Sequence, residues 1–119
     1  MKRIFLKSKI HNCIVTDKKL NYEGSLTIDE RLLEAADICE FEKVEVYNVS
    51  NGYRFSTYII KGEKNSGIIC VNGAACRLCE IGDKLIVVSY TILDENEIKY
   101  FKPKIVCIKS EDNKIFELI

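Results

Sequence analysis

The sequence predicts a mainly β fold, a small β-barrel of about six short strands with two short helices. Three observations support this class. Apolar, β-branched runs recur at short spacing along the 119 residues, an Asn-Gly pair joins two of them, and only one proline interrupts the chain. The length suits one domain, so we expect residues 1–119 to form a single unit.

The first predicted strand is KIHNCIV, residues 9–15, whose side chains alternate between two faces. Regular alternation puts Lys9 and His11 on the same face as Cys13. Ile10 lies on the opposite face. The segment therefore reads as a strand with one apolar side and one mixed side.

The strongest hairpin signal lies in KVEVYNVSNGYRFSTYII, residues 43–60. Two β-rich runs flank Asn51-Gly52, a pair that favours a two-residue hairpin turn. Further strands are predicted in SGIICVNG, DKLIVVSYTIL and PKIVCIK, and a turn at residues 110–113 precedes the final KIFELI.

Two segments have helical character. TIDERLLEAADI begins with Thr27 and Glu30 at capping-box spacing and continues with apolar residues along one face. GAACRLCEIGD is predicted to form a turn or two of helix that ends before Gly82.

Composition excludes several classes of protein. Hydrophobic residues make up 47% and charged residues 30%, which is typical of a folded globular chain. Lys+Arg and Asp+Glu both number 18, so bulk charge attracts neither nucleic acid nor an anionic membrane. The N-terminal segment lacks an apolar run of signal-peptide length, and no run reaches membrane-spanning length. We therefore expect a cytoplasmic protein.

Six cysteines are present, and in a cytoplasmic protein we expect them to remain reduced. Cys76 and Cys79 form a single C-x-x-C pair, whereas a zinc site needs further ligands and His11 is the only histidine. We predict no metal site.

Gly24-Ser25 is a peptide bond at which self-cleavage is chemically conceivable. The serine hydroxyl can attack the preceding carbonyl, and glycine supplies the conformational freedom that this approach requires. The developing oxyanion then needs a hydrogen-bond donor. If the resulting ester loses its Cα proton, β-elimination breaks the chain and leaves a residue that hydrolyses to a pyruvoyl group. Taken alone, the dipeptide is better explained as an ordinary loop and cap before a helix.

Three longer segments give the dipeptide its context: residues 9–38, 46–60 and 69–90. They contain the motifs YEGS, NGYRFSTY and VNGAA, in this order. In motifs and spacing, the chain resembles the pyruvoyl-dependent aspartate 1-decarboxylase family from its first residues to about Tyr90.

The resemblance implies a double-psi β-barrel that assembles as a homotetramer, with active sites between neighbouring subunits. It implies a proenzyme that cleaves itself into residues 1–24 and 25–119. The mature enzyme would convert L-aspartate into β-alanine and CO2 for pantothenate synthesis. A maturation factor is left open as a further partner.

The resemblance also implies a role for individual residues. Ser25 becomes the covalent pyruvoyl cofactor, Thr57 steadies the oxyanion during cleavage after Gly24, and Tyr58 donates a proton to the decarboxylated carbon. Lys9 and Arg54 hold substrate carboxylates, and Thr57 is a further substrate-binding residue. The remaining positions are the pocket-lining loop Asn72, Gly73, Ala74 and Ala75, and His11 and Tyr22 near the cleavage site.

Strand geometry tests part of this assignment. Arg54 and Tyr58 are four residues apart and share a face of a regular strand, whereas Thr57 points the other way. We therefore expect a bulge or strong twist in this strand. Tyr47 stands where many family members carry tryptophan, which leaves a smaller aromatic wall.

Two rival interpretations remain. The chain is either a non-catalytic small β-barrel that binds a ligand, or a hydrolase that exposes Ser25 as a free N-terminal nucleophile. The non-catalytic barrel would not be cleaved, and the hydrolase would begin with a free serine, so neither would carry a pyruvoyl group.

Overall fold

The computed structural model describes all residues, Met1–Ile119. The strands are β1 Lys2–Ile14, β2 Asp17–Lys19, β3 Ser25–Asp29, β4 Lys43–Asn48, β5 Arg54–Gly62, β6 Ile69–Asn72, β7 Lys84–Asp94, β8 Lys104–Ile108 and β9 Phe116–Leu118. The helices are α1 Glu30–Ala36, a 3₁₀ helix Gly73–Leu78 and α2 Glu95–Ile98. The predicted mainly β class is confirmed.

The strands hydrogen-bond in the order β2-β6-β3-β5-β4-β7-β1-β8-β9. Three neighbouring pairs are parallel, namely β1 with β8, β2 with β6, and β3 with β5, and the others are antiparallel. A single core of 19 buried residues fills the interior. None of the helices is long and apolar enough to cross a membrane.

β1 is longer than predicted and contains two irregularities. Its register against β7 shifts between Leu6 and Ser8 and again between His11 and Cys13, where Asn12 has a φ of 68°. Each shift adds a residue and reverses which side chains face inward. Ile10 and Cys13 therefore both reach the core, and the prediction that Cys13 shares a face with Lys9 and His11 is wrong.

The predicted hairpin is confirmed, but its turn is longer. β4 pairs with β5 in antiparallel register, and residues 49–53 connect them. Gly52 has a φ of 80°, whereas Asn51 is not among the residues with positive φ. The Asn51 side chain instead bonds the carbonyl of Leu78, so a tertiary contact replaces the two-residue turn.

The first helix is confirmed with a different start. Asp29, not Thr27, is the N-cap, and its carboxylate accepts a hydrogen bond from the Arg31 amide at 2.8 Å. Thr27 lies in β3, which pairs in parallel with β5 and antiparallel with β6. This pairing places Ser25 at the first residue of a buried strand instead of in a loop.

Candidate active site

Ser25 occupies a buried position at the start of β3. It is directly opposite Asn72 in β6, and the two residues are 2% and 1% exposed. The Asn72 amide Nδ2 donates to Ser25 Oγ at 2.9 Å, and the Ser25 hydroxyl donates to the carbonyl of Glu23 at 3.3 Å. The hydroxyl of a candidate nucleophile is therefore held in a fixed position.

Gly73 packs against the backbone of Gly24. Its φ of 74° lies in the left-handed region, and a Cβ built on it would lie 2.6 Å from Gly24 Cα and 2.8 Å from Gly24 N. Only glycine permits this approach. The VNGAA motif therefore supports the Gly24-Ser25 bond on one side, because its asparagine holds the hydroxyl and its glycine contacts the preceding residue.

A row of side chains crosses the outer face of the sheet. Cross-strand pairing aligns Arg54 with Tyr47, Tyr47 with Ile86, and Ile86 with His11. Arg54 and His11 are three strands apart, roughly 14 Å along the sheet. Arg54 stacks on the Tyr47 ring, with its guanidinium carbon 4.3 Å from the ring centroid.

Lys9 and Tyr58 lie on the same face as this row. Lys9 is paired with Val88, which is paired with Glu45 in β4. Tyr58 is four residues along β5 from Arg54, roughly 13 Å away. The structure therefore places Lys9, Arg54 and Tyr58 on one face of one sheet, but does not gather them at a point within a single chain.

Thr57 points to the opposite face of β5, where it is paired with the buried Val44. The β4–β5 pairing is regular from the Lys43–Tyr58 pair to the Tyr47–Arg54 pair, so the bulge expected in β5 is absent. Thr57 makes no side-chain hydrogen bond to Ser25 within the chain.

Tyr47 forms an aromatic wall beside Arg54. Its hydroxyl is 2.9 Å from the hydroxyl of Tyr90. That hydrogen bond, assisted by burial, raises the pKa of Tyr47 to about 12. The tyrosine therefore stays neutral, and its ring keeps a face for the Arg54 cation.

His11 lies in a basic environment. Burial lowers the pKa of its imidazole below the ordinary value of 6.5, and the charges of Lys9, Lys84 and Lys109 lower it further. Its Nδ1 atom is buried and makes no hydrogen bond within the chain. Each of these features favours the neutral imidazole.

Acidification should therefore destabilise the protein partly through His11. Since the folded chain binds this proton less readily than the unfolded chain, the free energy of unfolding falls as pH drops below about 6.5. Replacing His11 with Gln should reduce the fall in Tm between about pH 7.5 and pH 5.5. Thermal unfolding at both pH values measures this, and equal falls in the parent and His11→Gln would contradict it.

Comparison with known proteins connects these features to a family. The sequence profile described as aspartate decarboxylase matches residues 1–116. The chain belongs to the aspartate decarboxylase family. Its similarity to members of this family is high: it is 56% identical to the aspartate 1-decarboxylase of Thermoanaerobacter pseudethanolicus over 114 residues, which cover 96% of this chain and 97% of that protein.

Two other aspartate 1-decarboxylases show the same extent of similarity. The Kosmotoga olearia protein is 56% identical over 115 residues, covering 97% of this chain and 98% of its own. The Cupriavidus necator protein is 53% identical over 118 residues, covering 99% and 98%. The resemblance seen in the motifs is thus confirmed along nearly the whole chain, together with the double-psi β-barrel class of the aspartate decarboxylase family.

The remaining predicted positions of this aspartate decarboxylase family member are Tyr22, Ala74 and Ala75. Tyr22 is exposed, and the Lys19 ammonium is 5.8 Å from its ring centroid. Ala74 is exposed, and Ala75 packs on the edge of the core. Sequence reasoning missed Thr27, whose hydroxyl accepts a 3.0 Å hydrogen bond from Asn72, because the capping-box spacing assigned it to the helix.

Proposed function

We propose that this protein is a pyruvoyl-dependent aspartate 1-decarboxylase that converts L-aspartate into β-alanine and CO2, a step that supplies pantothenate synthesis. The single observation that carries the proposal is the buried Ser25 hydroxyl, which is held by Asn72 directly after a glycine that packs against Gly73. Membership of the aspartate decarboxylase family supports the same substrate. These facts favour an enzyme over a non-catalytic barrel.

The residues around Ser25 fit a pyruvoyl cofactor derived from it. The site is nearly closed to solvent, and Asn72 offers an amide donor to the atom at the reacting centre. Gly73 leaves the backbone of Gly24 room that any larger side chain would take. No step of the formation of this group needs a metal ion.

Self-cleavage would proceed from the proenzyme in a balanced sequence. Ser25 Oγ bonds to the carbonyl carbon of Gly24, the Gly24-Ser25 C–N bond breaks, and the nitrogen takes the hydroxyl proton. Water then removes the Cα proton of Ser25, the Cβ–Oγ bond breaks, and Oγ leaves as part of the Gly24 carboxylate. Addition of water and loss of ammonia convert the new N-terminus into a ketone. The assignment of Thr57 as the donor to the oxyanion of the first step stays a prediction.

In the mature enzyme, the pyruvoyl ketone supplies an electrophile that accepts electrons as CO2 departs. The protein supplies orientation and protons. Arg54 is suited to a planar carboxylate, and its stacking on Tyr47 fixes the guanidinium plane. Lys9 contributes a second positive charge for the dianionic substrate, and the Tyr58 hydroxyl donates a proton to the carbon that has lost CO2.

A homotetramer with sites between subunits would assemble these groups. Arg54, Lys9 and Tyr58 lie on an exposed outer face, whereas Ser25 lies on β3 and Thr57 faces inward. Within one chain these residues are separated by more than the length of a side chain. At an interface between two subunits, residues from one chain can lie next to residues from the other. Exposed apolar side chains on the same region of the sheet, including Ile4, Tyr90 and Ile92, favour such an assembly. The proposal includes a cytoplasmic location and leaves open whether a maturation factor takes part.

Intact-mass measurement of the purified, matured protein tests the proposed function. We expect two chains, residues 1–24 and 25–119, with the longer about 17 Da lighter than a chain that begins with free serine. A free N-terminal serine would instead support the hydrolase interpretation. An uncut chain that makes β-alanine from aspartate would contradict the mechanism.

A further inference from the structure

Asn72 is held on both sides of its side-chain amide. Its Nδ2 group donates one hydrogen to Ser25 Oγ at 2.9 Å and the other to Thr27 Oγ1 at 3.0 Å. Its Oδ1 accepts a hydrogen bond from the Cys70 thiol at 3.3 Å. All three contacts lie on the face of β3 and β6 that points away from the core.

Strand pairing fixes this arrangement. Ser25 is opposite Asn72, and Thr27 is opposite Cys70, so the four side chains are neighbours on one face of the antiparallel β3–β6 ladder. Cys70 is 2% exposed. Burial raises the pKa of its thiol, so the sulfur keeps its proton and remains a donor at neutral pH.

The direction of the Asn72 amide matters for the chemistry. A flipped amide would point its oxygen at the two hydroxyls and its NH2 group at sulfur, a weak acceptor. In the elimination step, negative charge develops on Ser25 Oγ as the Cβ–Oγ bond breaks. An N–H directed at Oγ stabilises this charge, whereas an amide oxygen there would repel it.

We propose that Cys70 is a positioning residue for self-cleavage: its thiol donates to Asn72 Oδ1 and thereby directs the amide N–H at Ser25 Oγ. This inference rests on the proposed function. Cys70 itself touches no reacting atom, so its contribution is to the rate of maturation.

The chain offers a matched control for this residue. Cys76 is also buried, at 4% exposure, and its thiol donates to the Val71 carbonyl at 3.0 Å without touching Asn72. Substituting either cysteine with alanine removes one buried thiol and one hydrogen bond. Only Cys70→Ala frees the Asn72 amide.

The test is the rate at which newly made proenzyme converts into two chains, followed by mass spectrometry in the parent, Cys70→Ala, Cys70→Ser and Cys76→Ala. We expect Cys70→Ala to mature about tenfold more slowly than the parent. Cys70→Ser retains a donor and should mature close to the parental rate. Cys76→Ala should also mature at nearly the parental rate with a comparable loss of Tm.

Several results would overturn the inference. Maturation of Cys70→Ala at the parental rate would do so, as would equal slowing in Cys76→Ala or failure of serine to restore the rate. If Cys70→Ala does not fold, Cys70→Val, which fills the site without a donor, takes its place. If the parent protein never cleaves, both this inference and the proposed function are wrong. If the parent cleaves and Cys70→Ala cleaves at the same rate, only the inference is wrong.

Discussion

Replacing Ser25 with alanine should leave a single folded chain of 13.7 kDa that makes no β-alanine from aspartate. The substitution removes the only hydroxyl placed directly after Gly24, so neither the acyl shift nor the ketone can form. The structural cost is modest, since two hydrogen bonds are lost, one from Asn72 and one to the Glu23 carbonyl, each worth about 1 kcal/mol. Denaturing gels and a β-alanine assay measure both outcomes.

Thr27→Val is the matched control for this substitution. Thr27 accepts the other hydrogen bond from Asn72 Nδ2, so Thr27→Val removes one hydrogen bond of the same buried network without touching the cleaved bond. We expect Thr27→Val still to mature into two chains and to retain activity, although more slowly than the parent because the Asn72 amide loses one of its acceptors. Two fragments or product formation in Ser25→Ala would show that Ser25 is not the precursor of the cofactor.

Gly73→Ala should block maturation almost as completely. The new Cβ would lie 2.6 Å from Gly24 Cα, whereas ordinary contacts begin near 3.4 Å, so the backbone must move by most of an ångström. A displacement of this size at a reacting centre slows reaction by about 100-fold. The measurement is the half-time of conversion to two chains.

Gly52→Ala separates this effect from backbone strain. Gly52 has a similar φ of 80°, but a Cβ there would meet nothing within 4 Å. Both substitutions carry the left-handed penalty of about 1–2 kcal/mol, which can be compared as Tm in uncleavable Ser25→Ala chains. Gly52→Ala should mature normally. Equal maturation of the two variants would mean that the contact with Gly24 does not control cleavage.

The pattern of apolar residues along the sequence predicts the long strands well. It fails for segments whose structure is set by pairing with distant strands. Apolar runs such as residues 83–93 need no partner to be recognised as strands. The capping-box spacing of Thr27 and Glu30 predicts a helix that begins at Thr27, whereas pairing with β5 and β6 on either side makes Ser25–Asp29 a strand. The bulge at Asn12 is likewise set by the register against β7, which the sequence of β1 alone does not contain.

The candidate site shows the same division. Motifs indicated Ser25, Asn72 and Gly73, and the structure brings these three together. No motif indicates Cys70, since its hydrogen bond to Asn72 depends on how two side chains on one face of β6 are oriented in the folded protein. The convergence of Arg54, Lys9 and Tyr58 at one substrate stays a prediction. These residues are separated along one sheet, so their convergence depends on the proposed association of subunits.

Under the proposed self-cleavage, the position of β1 has a thermodynamic consequence. This strand lies between β7 and β8, yet it precedes Gly24 and so belongs to the short fragment. Once the bond is cut, an interior strand becomes a separate peptide bound without a covalent link. Melting of the mature protein then releases two molecules, and its midpoint rises with concentration. The proenzyme can refold alone, whereas its product can re-form only by encounter between the two polypeptides.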